Sequence, residues 1–540
     1  MIRTIEAPRL KAAIRDGGEI ALLDVREEAD YFPRHLLFAS SVPLGRLEIL
    51  IDDLVPRRGA RVVVMDGGGG LARRAADRLG AFGYSDVAIL DGGIEAWAAA
   101  GFELFGGMHV PSKAFGELVE QRCGTPRLPP EELKRRLDAG ENVVILDSRP
   151  FDEYRRQSIP GGIDCPGAEL AYRVHDVAPS PETLIVVNCA GRTRSIIGAQ
   201  SLINAGIPNP VVALKNGTMG WHLAGLALAK GATRRAPDPS PEGLAKARVA
   251  AGRVAEAASL RIIDRTVYDA WWSERGARAL YVFDVRSLEE FEAGHLPEAR
   301  SVPGGQLVQE TDRYAAIRHA RMVLVDDTGV RARMTGAWLR QMGWRNVAVL
   351  ENGLAGQPLA TGKRRGHVLG LQDARAMMIE PLSLQRALGD GATVVVDFAN
   401  VRSYRGGHVP GALFAVRSNL PGNLARLPAY ERIVLTSSDG VVARLAAAEV
   451  AAATGRPVVV LAGGNGAWIK AGLGLESGAE RMLDEPKQIW TPYDRTSGAE
   501  GEMKAYLNWE AGLVDQIVRD GDAEFRIMRP GFPDGGPAEN

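Results

Sequence analysis

Four times along its 540 residues the chain repeats one pattern of three apolar runs at nearly fixed spacing. The first run of each copy, rich in Val, Ile and Leu, ends in Asp: ALLDVR at Asp24, VVILDSR at Asp147, YVFDVR at Asp284 and TVVVDFA at Asp397. A second run leads into a loop opening at Asp66, Cys189, Asp326 and Ser437, which lie 42, 42, 42 and 40 residues past those Asp residues. A third run ends in a Gly turn at Gly93, Gly217, Gly353 and Gly464, a further 27, 28, 27 and 27 residues on. Four residues later stand Trp97, Trp221, Gln357 and Trp468. A spacing held this closely means that the chain is an array of one structural unit rather than one large core.

The apolar runs are short and nearly uninterrupted, as strands buried on both faces are. Between the second and third runs lies an Ala- and Leu-rich stretch with helical spacing that stops at Gly, for example SIIGAQSLINAG and RMTGAWLRQMG. Helices often end on such a Gly. Strand, helix and strand in this order make a right-handed crossover, with parallel strands and helices on both faces. The expected class is α/β, with domains at 1–107, 128–231, 259–360 and 377–480. Polar, Pro-containing stretches near 108–127, 232–258 and 361–376 read as linkers. The tail 481–540 holds no fifth copy. The spacing of Leu507, Leu513, Ile517 and Val518 predicts one helix there, packed back on a domain.

Composition narrows the partners. Lys and Arg number 65 against 66 Asp and Glu, a net charge of -1, which leaves no electrostatic footprint for nucleic acid or an acidic membrane. Every apolar run is broken well short of a membrane span. The start, MIRTIEAPRLKAAIRDGGE, lacks the apolar core of a secretory signal, so a cytoplasmic location is expected. The three cysteines, Cys123, Cys165 and Cys189, are too few for a disulfide framework or a four-ligand zinc site, and reduced thiols are expected.

In an open parallel sheet, ligands gather where strands hand over to helices. In the second copy that loop reads Cys189-Ala190-Gly191-Arg192-Thr193-Arg194-Ser195, directly before a helix. Amides that open a helix have no intrahelical acceptor and carry the positive end of its dipole, so they hold anions and favour a thiolate. Arg192 and Arg194 add charge, and the same groups would dock an oxyanion. The other copies lack this chemistry. Their loops open with the carboxylates of Asp66 and Asp326 or the hydroxyl of Ser437, and hydroxyls are poor nucleophiles toward sulfur without an activating base. The Gly-rich run 67–70 lacks the Gly-Lys-Ser/Thr ending of a phosphate loop.

With Asp147 and Arg149 after the first strand, the Ile-Pro-Gly-Gly turn at 159–162, the CAGRTRS loop and the Gly217/Trp221 pair, the chain resembles the rhodanese sulfurtransferases over almost its whole length to about 480. The resemblance implies four tandem rhodanese-like domains of which one is active. It implies that Cys189 takes the sulfane sulfur of thiosulfate or another small anionic donor, releases sulfite, and passes the sulfur from a persulfide to cyanide or a thiol, including a protein thiol. No cofactor is implied, because the cysteine carries the transferred atom. The donor would be held by Ala190, Gly191, Arg192, Thr193, Arg194 and Ser195, with Arg149 as a further contact. Two-domain members of the family pair a degenerate copy with an active one, which places the expected cleft near the contact of copies one and two.

Several alternatives stand beside this reading. Arg149 has a structural role open to it, an ion pair with Asp147 or Glu153, and its counterparts Arg26 and Arg286 persist in copies without a thiol. Cys165 is a candidate to resolve a persulfide or a packing residue, and Cys123 lies in a linker. His175 and His222 raise a Cys-His hydrolase, although no spacing sets either against Cys189. Related phosphatase loops place five residues between Cys and Arg, where Cys189 and Arg194 enclose four. Other functions to weigh are a sulfur relay or partner-binding scaffold, and a 3-mercaptopyruvate sulfurtransferase.

Overall fold

The computed structural model describes residues 2–389, 391–485, 487–489 and 498–528. Each copy forms its own sheet. In the second copy the order is Arg127–Leu128, Val211–Leu214, Leu184–Asn188, Val143–Asp147 and Ile163–Asp164, with every pair parallel. The third and fourth copies repeat this order, and the first adds a sixth strand: Ile317–Arg318 of the third copy lies antiparallel to Ile20–Asp24. The architecture is α/β, as the crossover pattern predicts. Helices cover both faces, so Ile185, Val186 and Val187 are fully buried.

The register sets Asp147 beside Asn188, which brings the end of the first strand against the residue that precedes Cys189. The Asn188 side chain donates to Asp147 Oδ2 at 3.0 Å. After the third strand the chain turns at Gly217 with φ +56°, and a Cβ there would run into the Cys189 carbonyl. Gly93 and Gly464 meet Asp66 and Ser437 in the same way. The glycine of the repeat is thus required by close approach of this turn to the loop. Trp97, Trp221 and Trp468 each stand 1% exposed, with the indole N–H donating to a carbonyl at 2.9 Å. They are core residues, as a repeat position beneath the helix would require.

Two of the three stretches read as linkers, 108–127 and 232–258, contain helices. Helix Val110–Cys123 joins the first two copies, and helix Pro241–Ala257 packs between Leu170–Val177 of the second copy and Val330–Gln341 of the third. The second copy docks on the third, where the Trp338 indole donates to Ser201 Oγ at 2.7 Å. The first copy docks on the fourth through Arg417, which reaches Glu48 at 2.9 Å.

The tail forms helix Ala499–Asp520, and 486, 490–497 and 529–540 of the expected tail lie outside the described residues. Met503, Leu507, Glu510, Leu513 and Ile517 make its buried stripe. Val518 does not belong to it: at 74% exposure it sits one residue past the i, i+3, i+4 row and faces solvent. Among the described residues no helix is long and apolar enough to cross a membrane.

Candidate active site

Cys189 directly follows the strand Leu184–Asn188, and helix Thr193–Ala205 begins four residues later with Arg192 at its N-cap. The Arg192 side chain makes no cap hydrogen bond, so the first amides of this helix are left for whatever lies in the loop. The Cys189 thiol donates to Ser195 Oγ at 3.4 Å, and the Ser195 amide also faces the sulfur. Ser195 Oγ in turn donates to Arg192 O at 2.8 Å. Amides of Thr218 and Met219 bind the carbonyls of Cys189 and Ala190 at 2.8 and 3.0 Å, pinning the loop to the Gly217 turn.

The copies without a cysteine in this loop show what the cradle holds. In the first, Asp66 takes the place of the thiol, and its carboxylate accepts from the amides of Gly68 at 2.8 Å and Ala72 at 3.0 Å. In the third, Asp326 accepts from Thr328 and Ala332 amides at 2.8 and 3.1 Å. In the fourth, the Ala443 amide reaches Ser437 Oγ at 3.4 Å. The amide six residues past the loop's first side chain is aimed at that side chain in all four copies. Two copies fill the cradle with a carboxylate of their own; the second sets the Cys189 sulfur there, in a loop of the kind that holds anions.

The arginines divide. Arg194 forms a bidentate pair with Glu153 at 2.8 and 2.9 Å and is the charge that most favours a Cys189 thiolate. Arg192 is turned away onto helix Val110–Cys123, with Glu117 at 2.6 and 2.5 Å and Glu120 at 2.7 Å. Its charge is balanced there by the two carboxylates, whereas the expectation set both guanidinium groups to serve the loop. Glu153, weighed above as a partner of Arg149, belongs to Arg194.

Arg149 is 2% exposed, pairs with Asp147 at 2.7 Å and donates to Gln157 O at 2.7 Å. Arg26 and Arg286 repeat the pair with Asp24 and Asp284, each at 2.6 Å. These contacts match the structural alternative weighed for Arg149. Arg149→Ala would leave the Asp147 carboxylate buried without its cation, and a destabilisation of about 3–5 kcal/mol is expected by urea unfolding. Unchanged stability would instead give Arg149 a role outside the fold.

The thiol itself departs from expectation. Cys189 is 2% exposed. Burial pushes its pKa up, against the pull of Arg194 and of the Ser195 hydroxyl and amide, and the Glu510 carboxylate adds to the upward push. Burial thus works against the expected thiolate, because the protein covers the sulfur more fully than the cradle compensates. The cover comes from two helices outside the copies. Helix Ala499–Asp520 packs along helix Val110–Cys123, Met503 and Leu507 bury Met219, and Glu510 and Tyr506 lie over Gly191. This replaces the cleft expected between copies one and two with a site roofed by the helix that joins them and by the C-terminal helix. Glu510, Tyr506, Lys113 and Glu117 were not visible as site residues in the sequence, since nothing local ties them to the loop.

Cys165 is fully buried in the core with Leu170 and Val187, and burial raises its pKa well above the usual thiol range. Neither His175 nor His222 is among the groups that set the charge around Cys189. Behind Arg194, between the second and third copies, a cavity of about 40 Å³ is lined by Ser148, Thr193, Gly304, Thr335 and Trp338. It offers room for a water or two.

A family model for the rhodanese-like domain matches residues 6–100, 129–224, 269–356 and 380–471. A crystal structure of thiosulfate sulfurtransferase from Pseudomonas aeruginosa superposes with a TM-score of 0.94 at 48% identity, over 98% of this chain and 100% of that one. An HTH-type transcriptional regulator of Mycobacterium tuberculosis is 38% identical over 101 residues, 19% of this chain and 43% of its own length. The putative sulfur carrier protein YrkF of Bacillus subtilis is 27% identical over 141 residues, 24% of this chain and 72% of its own. This chain thus spans less than half of the regulator.

Proposed function

The chain belongs to the rhodanese-like family, and from that premise we propose that its second copy is a thiosulfate sulfurtransferase whose nucleophile is Cys189. The Cys189 thiolate attacks the outer sulfur of thiosulfate. The sulfur–sulfur bond of the donor breaks, sulfite departs with the electron pair, and Cys189 keeps the sulfur as a persulfide. Attack by cyanide or a thiol on that outer sulfur returns the enzyme to its starting form.

The observation that carries this reading is the cradle: the same amide that binds a carboxylate in copies one and three faces a thiol in copy two. Only there does a sulfur nucleophile meet an anion-holding loop with an adjoining arginine. Ala190, Gly191, Thr193, Arg194 and Ser195 are proposed to hold the donor, and Arg192 to fix the loop to its neighbouring helix. Thiosulfate treatment is expected to add the mass of one sulfur atom to the peptide containing Cys189. A peptide that stays unmodified would defeat the proposal. Three thiols with no disulfide among them suit a reducing compartment, in keeping with the cytoplasm.

A raised thiol pKa gives the reaction a pH signature. Below that pKa the thiolate fraction grows about tenfold per pH unit. The first-order loading of Cys189 is therefore expected to climb through pH 6 to 8 without levelling off, as read by sulfite release under single-turnover conditions. A flat profile over that range would mean a thiolate already formed at rest.

The burial of Cys189 favours a second reading, a relay loaded by a partner protein. If a protein persulfide loads Cys189 quickly while thiosulfate and 3-mercaptopyruvate both load it slowly, the relay reading replaces the first. Comparison of the two small donors settles which of them the loop prefers.

A further inference from the structure

The C-terminal helix brings one carboxylate to the mouth of the Cys189 loop. Glu510 is 1% exposed. Its Oε1 accepts from the Tyr506 hydroxyl at 2.9 Å, from Thr193 Oγ1 at 3.4 Å and from Lys113 Nζ at 3.4 Å. Lys113 also donates to the Tyr506 hydroxyl. Its Oε2 is buried and has no hydrogen-bond partner. That oxygen sits over the loop: a Cβ on Gly191 would lie 3.2 Å from it, and Gly191 leaves the space open. A buried carboxylate oxygen without a partner is costly, and such a group is expected to have a use that the resting structure does not show.

We infer that Glu510, held by Lys113, Tyr506 and Thr193, is the proton acceptor that activates a thiol bringing its own proton to the Cys189 persulfide. This role rests on the sulfurtransferase reading. The acceptor R–SH gives its proton to Glu510 Oε2. The thiolate so formed attacks the outer sulfur, an R–S–S bond forms, and the bond between that sulfur and Cys189 Sγ breaks with its electron pair left on Sγ. Glu510 then returns the proton to Sγ, which restores the Cys189 thiol and releases the acceptor persulfide as an anion. One sulfur–sulfur bond is exchanged for another, so no oxidant or reductant is needed.

The same carboxylate has the wrong sign to help thiosulfate, a dianion, and it opposes the thiolate of Cys189. Glu510 therefore separates the two half-reactions. It aids the acceptor that carries a proton and does nothing for a donor that carries none.

The test uses the full chain with Glu510→Gln, loaded with thiosulfate and then discharged in single turnovers to two acceptors. Discharge to a small thiol such as dithiothreitol is expected to fall on the order of 10²-fold. Discharge to sulfite, which reverses loading and has no proton to lose, is expected to stay equal or rise, as is loading itself. Equal losses with thiol and sulfite would show that Glu510 only anchors the helix, and unchanged thiol discharge would remove it from the reaction; either overturns the role while leaving the sulfurtransferase intact. Failure of the unaltered protein to form a persulfide at all would instead defeat the underlying activity and this role with it.

Discussion

Cys189→Ser is expected to reduce sulfite release from thiosulfate to the level of buffer, a fall on the order of 10⁴-fold or more. The hydroxyl would occupy the same place beside Ser195, so binding and fold survive while the nucleophile does not. No other copy carries a thiol at the matching loop position. Asp66 and Asp326 bind their own loop amides with their carboxylates, and the Ser437 hydroxyl accepts from the Ala443 amide. Cys165 is packed in the core. The loss from one atom, in a chain with four copies of the fold, is what distinguishes a single site from a shared one. Two measurements are needed: turnover, and the mass of thiosulfate-treated protein, which should gain no sulfur. A variant that still gains sulfur on another residue would remove Cys189 from the centre of the reaction, and undiminished turnover would do so more directly.

The units and the loop were legible in the sequence because both are written locally. A strand buried on two faces must be apolar throughout, its end must turn polar, and Gly217 must lack a side chain to pass the Cys189 carbonyl. Such demands recur at fixed spacing, so four copies could be aligned by counting. The state of the thiol could not be read this way. It depends on Met503, Leu507 and Glu510, which arrive from a helix far along the chain, and a helix pattern shows which face is apolar without showing what that face will cover. The partners of Arg192 were hidden for the same reason: Glu117 and Glu120 lie on a helix within a stretch whose sequence has the look of a linker. The linkers looked polar because their solvent faces are, while Phe115, Val119 and Ala251 are buried. Copy pairing was likewise hidden, since strand Ile317–Arg318 joins the sheet of the first copy by backbone bonds that place few demands on side chains.

Arg194 and Arg192, two residues apart and alike in the sequence, are expected to separate by experiment. Arg194→Met keeps the side-chain stem and removes the charge that most lowers the Cys189 pKa, so the thiol moves further up. Loading by thiosulfate is expected to fall on the order of 10²–10³-fold, the effect of deleting one well-placed electrostatic contact, and its pH profile to shift to higher pH. The fold should tolerate the change, because the Glu153 side chain left behind is 37% exposed and regains water. Arg192→Met should act the other way round. Glu117 is nearly buried, with 3% side-chain exposure, and is pushed up in pKa by that burial. Without Arg192 it has lost its main partner, and stability is expected to drop by about 3 kcal/mol or more. Loading by the protein that remains folded should change less than about tenfold, since no charge aimed at the sulfur has gone. Single-turnover sulfite release and urea unfolding on both variants give four numbers. If Arg192→Met slows loading more than Arg194→Met while both stay folded, the division of labour between the two guanidinium groups is reversed. The anion would then have to enter on the side of the loop that faces helix Val110–Cys123, where Glu117 and Glu120 now stand.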